Sequence, residues 1–282
     1  MDMDKEKAIN KIFEAVIEEA PKISSEIVKR RSETNDRNSS GETQIQADIW
    51  ANEKLKQKLV DLESVGEFCS EEEEEIISCG EGLSVAIDPL DGSSNIRSNN
   101  VVGTVVGIYE DSLPCKGEKL VSAFYILYGP AITAVKAEEG GKIEEYTVTE
   151  EGIEKLSEDI KLPEPSVYGI GGNKHWPEEI KDLNNLLSED LKLRYGGAMV
   201  GDFNQVLNHG GLFVYPKRTD APDGKLRILF ECNPVAFIAK QAGGRSTDGE
   251  RSVLEKEVES VHQRTPFFVG NDELIEMVEK EL

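Results

Sequence analysis

The chain has 282 residues, of which 38% are hydrophobic and 31% are charged, as is usual for soluble globular proteins. Its 55 acidic and 32 basic side chains give a formal net charge of −23, which argues against nucleic acid and anionic membranes as partners. The sequence has no apolar run long enough to span a bilayer and no signal-peptide pattern at its start, so we expect a cytoplasmic protein.

The first half of the chain begins with helical patterns and continues with strand-like ones. Apolar spacing predicts helices over 5–31, interrupted at Pro21, and over 44–60, with a polar loop over 32–41 between them. Strands are predicted over 83–87, 101–109, 120–128, 131–136 and 145–148. The charged, proline-containing stretch 150–165 predicts a boundary between an N-terminal half, residues 1–160, and a C-terminal half, residues 161–282.

The second half mixes strands and helices throughout. Strands are predicted over 166–170, 212–215, 226–230 and 265–269, and helices over 177–188, 234–242 and 271–281. Such mixing predicts an α/β fold in which helices and sheets form layers.

The most informative segment is Asp-Pro-Leu-Asp-Gly-Ser-Ser-Asn at residues 88–95, directly after a predicted strand. The carboxylate oxygens of Asp88 and Asp91 suit Mg²⁺ or Mn²⁺, and backbone N–H groups behind a Gly-Ser turn suit a phosphate. Because Asp-Pro and Asp-Gly are common turn pairs, the segment alone is equally compatible with an ordinary turn. Further carboxylates beside turns and strand ends favour the metal site; they are Glu42, Asp48, Glu71, Glu72 and Glu231.

Other polar features predict structural roles. The acidic run Glu73 to Glu75 is expected to be a solvated loop, and the three histidines lack the spacing of metal ligands. The four cysteines form no CxxC pair and are expected to be reduced thiols, the alternative being a disulfide switch between Cys69 and Cys79.

Five segments together resemble the fructose-1,6-bisphosphatases, within the wider sugar-phosphatase and inositol-monophosphatase superfamily. They are CSEE at 69–72, DPLDGSSN at 88–95, RYGGAMVGD at 194–202, GKLRILFECNP at 224–234 and HQRTP at 262–266. The resemblance extends from about residue 35 to the C-terminus. It implies alternating α-β-α-β-α layers of the sugar-phosphatase type and Mg²⁺-dependent hydrolysis of the 1-phosphate of fructose 1,6-bisphosphate, a reaction of gluconeogenesis.

The resemblance also implies a role for each acidic residue named above. Glu71, Asp88, Asp91 and Glu231, with the Leu90 carbonyl, correspond to ligands of two or three Mg²⁺ ions, for which Mn²⁺ is a possible substitute. Asp48 and Glu72 correspond to the residues that orient and deprotonate the attacking water, and Glu42 to an acidic residue on a closing loop. Four residues correspond to the segment that holds the scissile phosphate: Asp91, Gly92, Ser93 and Ser94.

In the second half, the resemblance implies contacts with the sugar and with the distal phosphate. The corresponding residues are Asn173, Arg194, Tyr195, Met199, Tyr215 and Lys225. In the family the arginine reaches into a neighbouring subunit, so Arg194 implies a homodimer or a homotetramer.

Three alternatives stay open from the sequence. The CSEE segment and residues 242–254 also resemble sedoheptulose-1,7-bisphosphatase, so the sugar is undecided. Inositol-monophosphatase-like relatives usually close the metal site with a Trp-Asp motif at a helix start, where this chain has Phe230-Glu231-Cys232-Asn233-Pro234. A non-catalytic phosphosugar-binding protein has no need of water-activating carboxylates. Gly82 and Leu83 stand where the eukaryotic enzymes have Lys-Tyr for a nucleotide phosphate, so AMP inhibition is not expected.

Overall fold

The computed structural model describes residues 3–30, 33–37 and 43–282. The helices are α1 (Met3–Ile17), α2 (Ala20–Lys29), α3 (Gln46–Val60), α4 (Glu178–Asp190), α5 (Met199–His209), α6 (Asn233–Gln241) and α7 (Asp272–Glu281). Within these ranges, no helix combines the length and the apolar character needed to cross a membrane.

The strands come mostly from the first half of the chain. They are β1 (Glu33–Arg37), β2 (Thr43–Ile45), β3 (Val65–Ser70), β4 (Ile77–Ser78), β5 (Leu83–Asp91), β6 (Val102–Tyr109), β7 (Leu120–Tyr128), β8 (Ile132–Glu138), β9 (Ile143–Thr149), β10 (Gly152–Glu158), β11 (Val167–Ile170), β12 (Lys192–Leu193), β13 (Gly211–Tyr215), β14 (Leu226–Arg227), β15 (Arg245–Thr247), β16 (Arg264–Thr265) and β17 (Phe267–Gly270).

Two sheets lie between three groups of helices. The larger sheet has eight strands in the order β10-β9-β8-β7-β6-β5-β3-β4, and the smaller has five in the order β12-β11-β13-β17-β15. Since successive side chains of a strand point to opposite faces, Val85 of β5 faces a core shared with α1–α3, whereas Ala86 faces a core shared with α5 and α6. In the smaller sheet, Phe213 faces that same middle core, and Leu212 faces α4 and α7. The α-β-α-β-α order confirms the predicted fold class.

Three segments differ from the sequence predictions. The stretch 32–41, predicted as a loop, contains β1, which pairs with β2. The boundary stretch 150–165 contains β10, whose residues are mostly exposed at the sheet edge and so lack the apolar alternation that announces a strand. The strand predicted over 226–230 ends at Arg227, because the Glu231 side chain accepts the Arg227 backbone N–H and a π-helical turn, Ile228–Cys232, leads into α6.

Candidate active site

Acidic side chains meet at one end of the larger sheet. β3 and β5 are parallel neighbours, so Glu71, which follows β3, and Asp88, near the end of β5, lie at the same edge. Asp91 ends β5, and the π-helical turn carries Glu231. Asp88, Asp91 and Glu231 are buried, and each offers a carboxylate oxygen within 4.8 Å of the others. This oxygen cluster has the donor chemistry and the spacing that a divalent cation requires.

Burial and mutual repulsion raise the pKa values of these carboxyl groups. Burial, and then the charge of Glu231, raise the pKa of Glu71 to about 8. Burial and the neighbouring Glu71 raise the pKa of Asp88 well above its ordinary value. Burial raises the pKa of Asp91 to about 7, although a hydrogen bond from the Val200 backbone N–H opposes the shift. Either protons or a bound cation must therefore offset the negative charge of this cluster.

Arg227 joins two of the acidic groups and was not singled out from the sequence. Its Nη1 lies 2.5 Å from Glu71 Oε1, and its backbone N–H donates to Glu231 Oε2 over 2.6 Å. The residue is 3% exposed, so its charge acts within a poorly solvated environment. One signal was available: a lone arginine inside the apolar run Leu226 to Phe230 needs a buried partner.

The turn after Asp91 lies against the start of α5. Gly92 has a φ of +75°, in the left-handed region, and a Cβ at this position would lie 2.2 Å from Ala198 Cβ. The Val200 backbone N–H, in the first turn of α5, donates to Asp91 Oδ2 over 2.8 Å. Ser93 therefore begins its short 3₁₀ turn beside a helix N-terminus, where a phosphate is favoured.

The loop before α5 is held from both halves of the chain. The Asp202 carboxylate accepts the backbone N–H groups of Gly196 and Gly197 over 2.5 and 3.0 Å. Asn95 Nδ2 donates to the Gly196 carbonyl over 2.9 Å. Asn95 ends the segment 88–95, so one segment carries Asp88 and Asp91 of the acidic cluster and also fixes this loop. Sequence reasoning assigned no role to Asn95 or Asp202, although both stand in the quoted motifs.

A cavity of about 660 Å³ connects the acidic cluster to this loop. It brings together most of the residues predicted for the site: Asp48, Glu71, Glu72, Asp88, Leu90, Asp91, Gly92, Ser93, Ser94, Tyr195, Met199, Tyr215, Lys225 and Glu231. It is also lined by Asn95, Arg97, Gly197, Asp202, Phe213, Leu226 and Arg227. Carboxylates therefore share one cavity with arginine, lysine and tyrosine side chains.

Three predicted residues are not among those that line the cavity. Arg194 borders a neighbouring cavity, where its Nη1 donates to Gln205 Oε1 over 2.6 Å. Glu42 and the side chain of Asn173 lie outside the described residues.

The prediction of a solvated loop over Glu73 to Glu75 is wrong for Glu73. Glu73 Oε1 accepts hydrogen bonds from Asn52 Nδ2 and Lys56 Nζ, both over 2.8 Å. Burial raises the pKa of Glu73, but these two hydrogen bonds outweigh it and lower the pKa below its usual value. Glu74 and Glu75 are exposed, as expected.

Comparison with known proteins identifies the family. The family model described as fructose-1-6-bisphosphatase, N-terminal domain, matches residues 4–158, and the corresponding C-terminal domain matches residues 162–282. The chain belongs to the fructose-1,6-bisphosphatase family. The match to this family begins at residue 4, so the sequence motifs, which indicated a resemblance from about residue 35, placed its start too late.

Relatives and a solved structure agree with the family over nearly the whole chain. The class 1 fructose-1,6-bisphosphatase of Natronomonas pharaonis is 48% identical over 280 residues, covering 98% of this chain and 99% of that protein. The corresponding protein of Halobacterium salinarum is 44% identical, covering 95% of this chain and 94% of that protein. The crystal structure of Leishmania major fructose-1,6-bisphosphatase in its holo form has a TM-score of 0.91 and 27% identity, covering 97% of this chain and 94% of that chain.

Proposed function

We propose that the protein hydrolyses the 1-phosphate of fructose 1,6-bisphosphate to fructose 6-phosphate and inorganic phosphate. Water supplies the new P–O bond, the bond between phosphorus and the sugar oxygen breaks, and that oxygen takes up a proton. The observation that carries the proposal is the buried cluster of Asp88, Asp91 and Glu231 beside the Gly92 turn, in a chain that belongs to this family. We place the reaction in the cytoplasm, in gluconeogenesis and sugar-phosphate metabolism.

The acidic cluster fits two or three Mg²⁺ ions, with Mn²⁺ as a substitute, because hard divalent cations prefer oxygen ligands. Glu71, Asp88, Asp91 and Glu231 would hold them with the Leu90 carbonyl. When bound, the ions neutralise phosphate charge and lower the pKa of a water molecule. The raised pKa values of Glu71 and Asp91 support this assignment, since a cation can replace the protons that burial otherwise retains.

Asp48 and Glu72 are assigned to the attacking water. Both line the cavity beside the acidic cluster, and their carboxylates can accept a proton or orient a water. Glu42 is assigned to closing over the metal site.

The N-terminal half, residues 1–160, would bind the metals and the scissile phosphate, and the C-terminal half, residues 161–282, would bind the sugar. Gly92, Ser93 and Ser94 offer backbone and hydroxyl donors to the scissile phosphate. Lys225 and the hydroxyl groups of Tyr195 and Tyr215 suit the sugar and its distal phosphate, and Met199 lines the same cavity. We assign Asn173 to the same phosphate.

Arg194 lies outside this cavity and is assigned to the site of a neighbouring subunit in a homodimer or homotetramer. Size-exclusion chromatography with light scattering tests the assembly. A monomer at micromolar concentration would contradict it.

A substrate panel tests the proposed reaction. We expect Mg²⁺-dependent phosphate release with the highest kcat/KM for fructose 1,6-bisphosphate, compared with sedoheptulose 1,7-bisphosphate and inositol 1-phosphate. EDTA should abolish release, and Mn²⁺ should restore part of it. A clear preference for the inositol ester would overturn the proposal. A preference for the sedoheptulose ester would change the proposed substrate, but the proposed metal-dependent hydrolysis would stand.

A further inference from the structure

Glu73 joins three parts of the molecule just beyond the acidic residues Glu71 and Glu72. Its Oε1 accepts hydrogen bonds from Asn52 and Lys56 of α3, both over 2.8 Å. Its backbone N–H donates to the Ser70 carbonyl over 3.1 Å, which closes the turn that contains Glu71 and Glu72. The turn is therefore attached to α3 through a side chain and to the end of β3 through the backbone.

The attachment lies on the face of α3 that also carries Asp48. Asp48, Asn52 and Lys56 follow one another at intervals of four, so they lie on one face of the helix. Asp48 and Asn52 are each 5% exposed, and Asp48 lines the cavity one turn from the Asn52 contact. The contact with Glu73 therefore sets how far Asp48 lies from the Glu71–Glu72 turn.

The third contact of Glu73 comes from the C-terminal half. His262 Nε2 lies 2.9 Å from the Glu73 carbonyl oxygen, and because a carbonyl only accepts, Nε2 carries the proton. The His262 ring lies 5.6 Å from the ring of Phe230, the residue before Glu231. His262 thus contacts the Glu71–Glu72 turn through the Glu73 carbonyl and the π-helical turn through Phe230.

The chain after His262 strengthens this connection. Arg264 pairs with Arg227 in the short β14–β16 ladder, and the Ile228 backbone N–H donates to the Gln263 carbonyl over 2.9 Å. Arg227 in turn contacts Glu71. Residues 262–265 therefore hold the Glu71–Glu72 turn in two ways: directly through His262, and indirectly through Arg227.

We propose that Glu73 and His262 are positioning residues that hold Glu71 and Glu72 against Asp48 and Glu231. The proposal rests on the proposed function of those four carboxylates. Groups that orient metal ligands without touching the metal commonly change metal affinity or activity when removed. In this protein Glu73 orients the carboxylates through its contacts with α3, and His262 does so from the segment 262–265.

Two pairs of variants test the proposal, each with a matched control. Glu73→Ala is compared with Glu75→Ala, which removes an exposed carboxylate two residues away. His262→Leu removes the donor to the Glu73 carbonyl, whereas His262→Gln keeps an N–H group within reach. Mn²⁺ binding is measured by calorimetry and by electron paramagnetic resonance, and kcat and KM are measured with fructose 1,6-bisphosphate, all below the unfolding temperature.

We expect Glu73→Ala and His262→Leu to weaken Mn²⁺ binding and lower kcat by about tenfold or more, with KM changed by less than about twofold. Glu75→Ala should match the parent, and His262→Gln should recover most of the loss. Parent-like Mn²⁺ affinity and kcat in both Glu73→Ala and His262→Leu would overturn the proposal, even if either variant unfolds at a lower temperature.

The remaining outcomes also decide the question. If Glu73→Ala does not fold, the comparison of His262→Leu with His262→Gln decides alone. If the parent does not hydrolyse fructose 1,6-bisphosphate, the proposed function fails, and Mn²⁺ affinity still tests the positioning role separately.

Discussion

At the scale of single residues, the acidic cluster concentrates negative charge beside one buried arginine. Arg227 contacts Glu71 and, through its backbone, Glu231. Asp91 is held differently, by the Val200 backbone N–H. The charges of Asp88 and Asp91 therefore depend on a cation or on protons, which makes these residues sensitive to conservative substitution.

Asp91→Asn should abolish turnover while leaving the protein folded. The asparagine oxygen can still accept the Val200 N–H, but the amide lacks the negative charge that attracts a divalent cation. We expect a loss of kcat larger than about 100-fold, since removing only an outer partner of a metal ligand costs 10–100-fold. Phosphate release at saturating Mg²⁺ measures the effect, and circular dichroism checks the fold. Turnover close to that of the parent would contradict the metal assignment.

The metal-free protein should become less stable as the pH rises from 6.5 to 8. Folding raises the pKa of Glu71 from 4.5 to about 8 and that of Asp91 from 3.8 to about 7. The unfolded carboxylates are already ionised in this interval, so the folded state binds more protons and loses stability as they dissociate. Thermal unfolding in EDTA at several pH values measures this trend.

Added Mg²⁺ should raise the unfolding temperature more at pH 8 than at pH 6.5, because it replaces the lost protons. Asp91→Asn should flatten the trend in EDTA. An unfolding temperature that rises with pH in EDTA would show that these groups do not carry the effect.

At the scale of elements, the contact between the end of β5 and the start of α5 connects the turn at Gly92 to the loop that contains Gly196 and Gly197. This contact requires glycine at position 92 for two reasons. The backbone there has a φ of +75°, and a side chain would collide with Ala198. Gly140 has a similar φ of +66° but open space around it, and therefore provides a control for backbone strain alone.

Gly92→Ala should reduce both stability and kcat/KM, whereas Gly140→Ala should reduce stability by a smaller amount and leave kcat/KM unchanged. The left-handed backbone costs roughly 1–2 kcal/mol in either variant. In Gly92→Ala, α5 must also move away from the Asp91 turn. Differential scanning calorimetry and steady-state kinetics measure the two effects. Equal kinetics in the two variants would show that the β5–α5 contact does not matter for the site.

The elements also show what the sequence alone could predict. Buried strands such as β6 and β7 have long apolar runs and were predicted nearly to the residue. β10 was missed because its exposed residues have no apolar alternation, and the π-helical turn was missed because it depends on the Glu231 side chain meeting the Arg227 N–H.

In the candidate site, the acidic residues could be predicted because each stands beside a turn or a strand end within a recognisable motif. The supporting contacts could not. Asn95, Glu73 and His262 act through partners that are distant in the sequence, such as His262 and Glu73, which are 189 positions apart. Pairings of this kind depend on the packing of the layers, which residue type and local spacing do not determine.

At the scale of the whole molecule, the net charge of −23 opposes folding by self-repulsion. Much of the compensating positive charge lies in exposed ion pairs, such as Lys181 with Glu178, which contribute little to stability. The buried cluster adds to the repulsion at short range, while the remaining acidic groups act over distances that salt screens effectively.

Raising KCl from about 0.05 to about 1 M should therefore raise the unfolding temperature of the metal-free protein, because the Debye length falls from above 10 Å to about 3 Å. Choline chloride at the same ionic strength should act similarly if screening is the cause, whereas a larger effect of KCl would indicate potassium binding. Calorimetry in EDTA measures both salts. A fall in unfolding temperature would mean that attractive ion pairs outweigh the repulsion. It would contradict the prediction that repulsion among acidic groups limits stability at low salt.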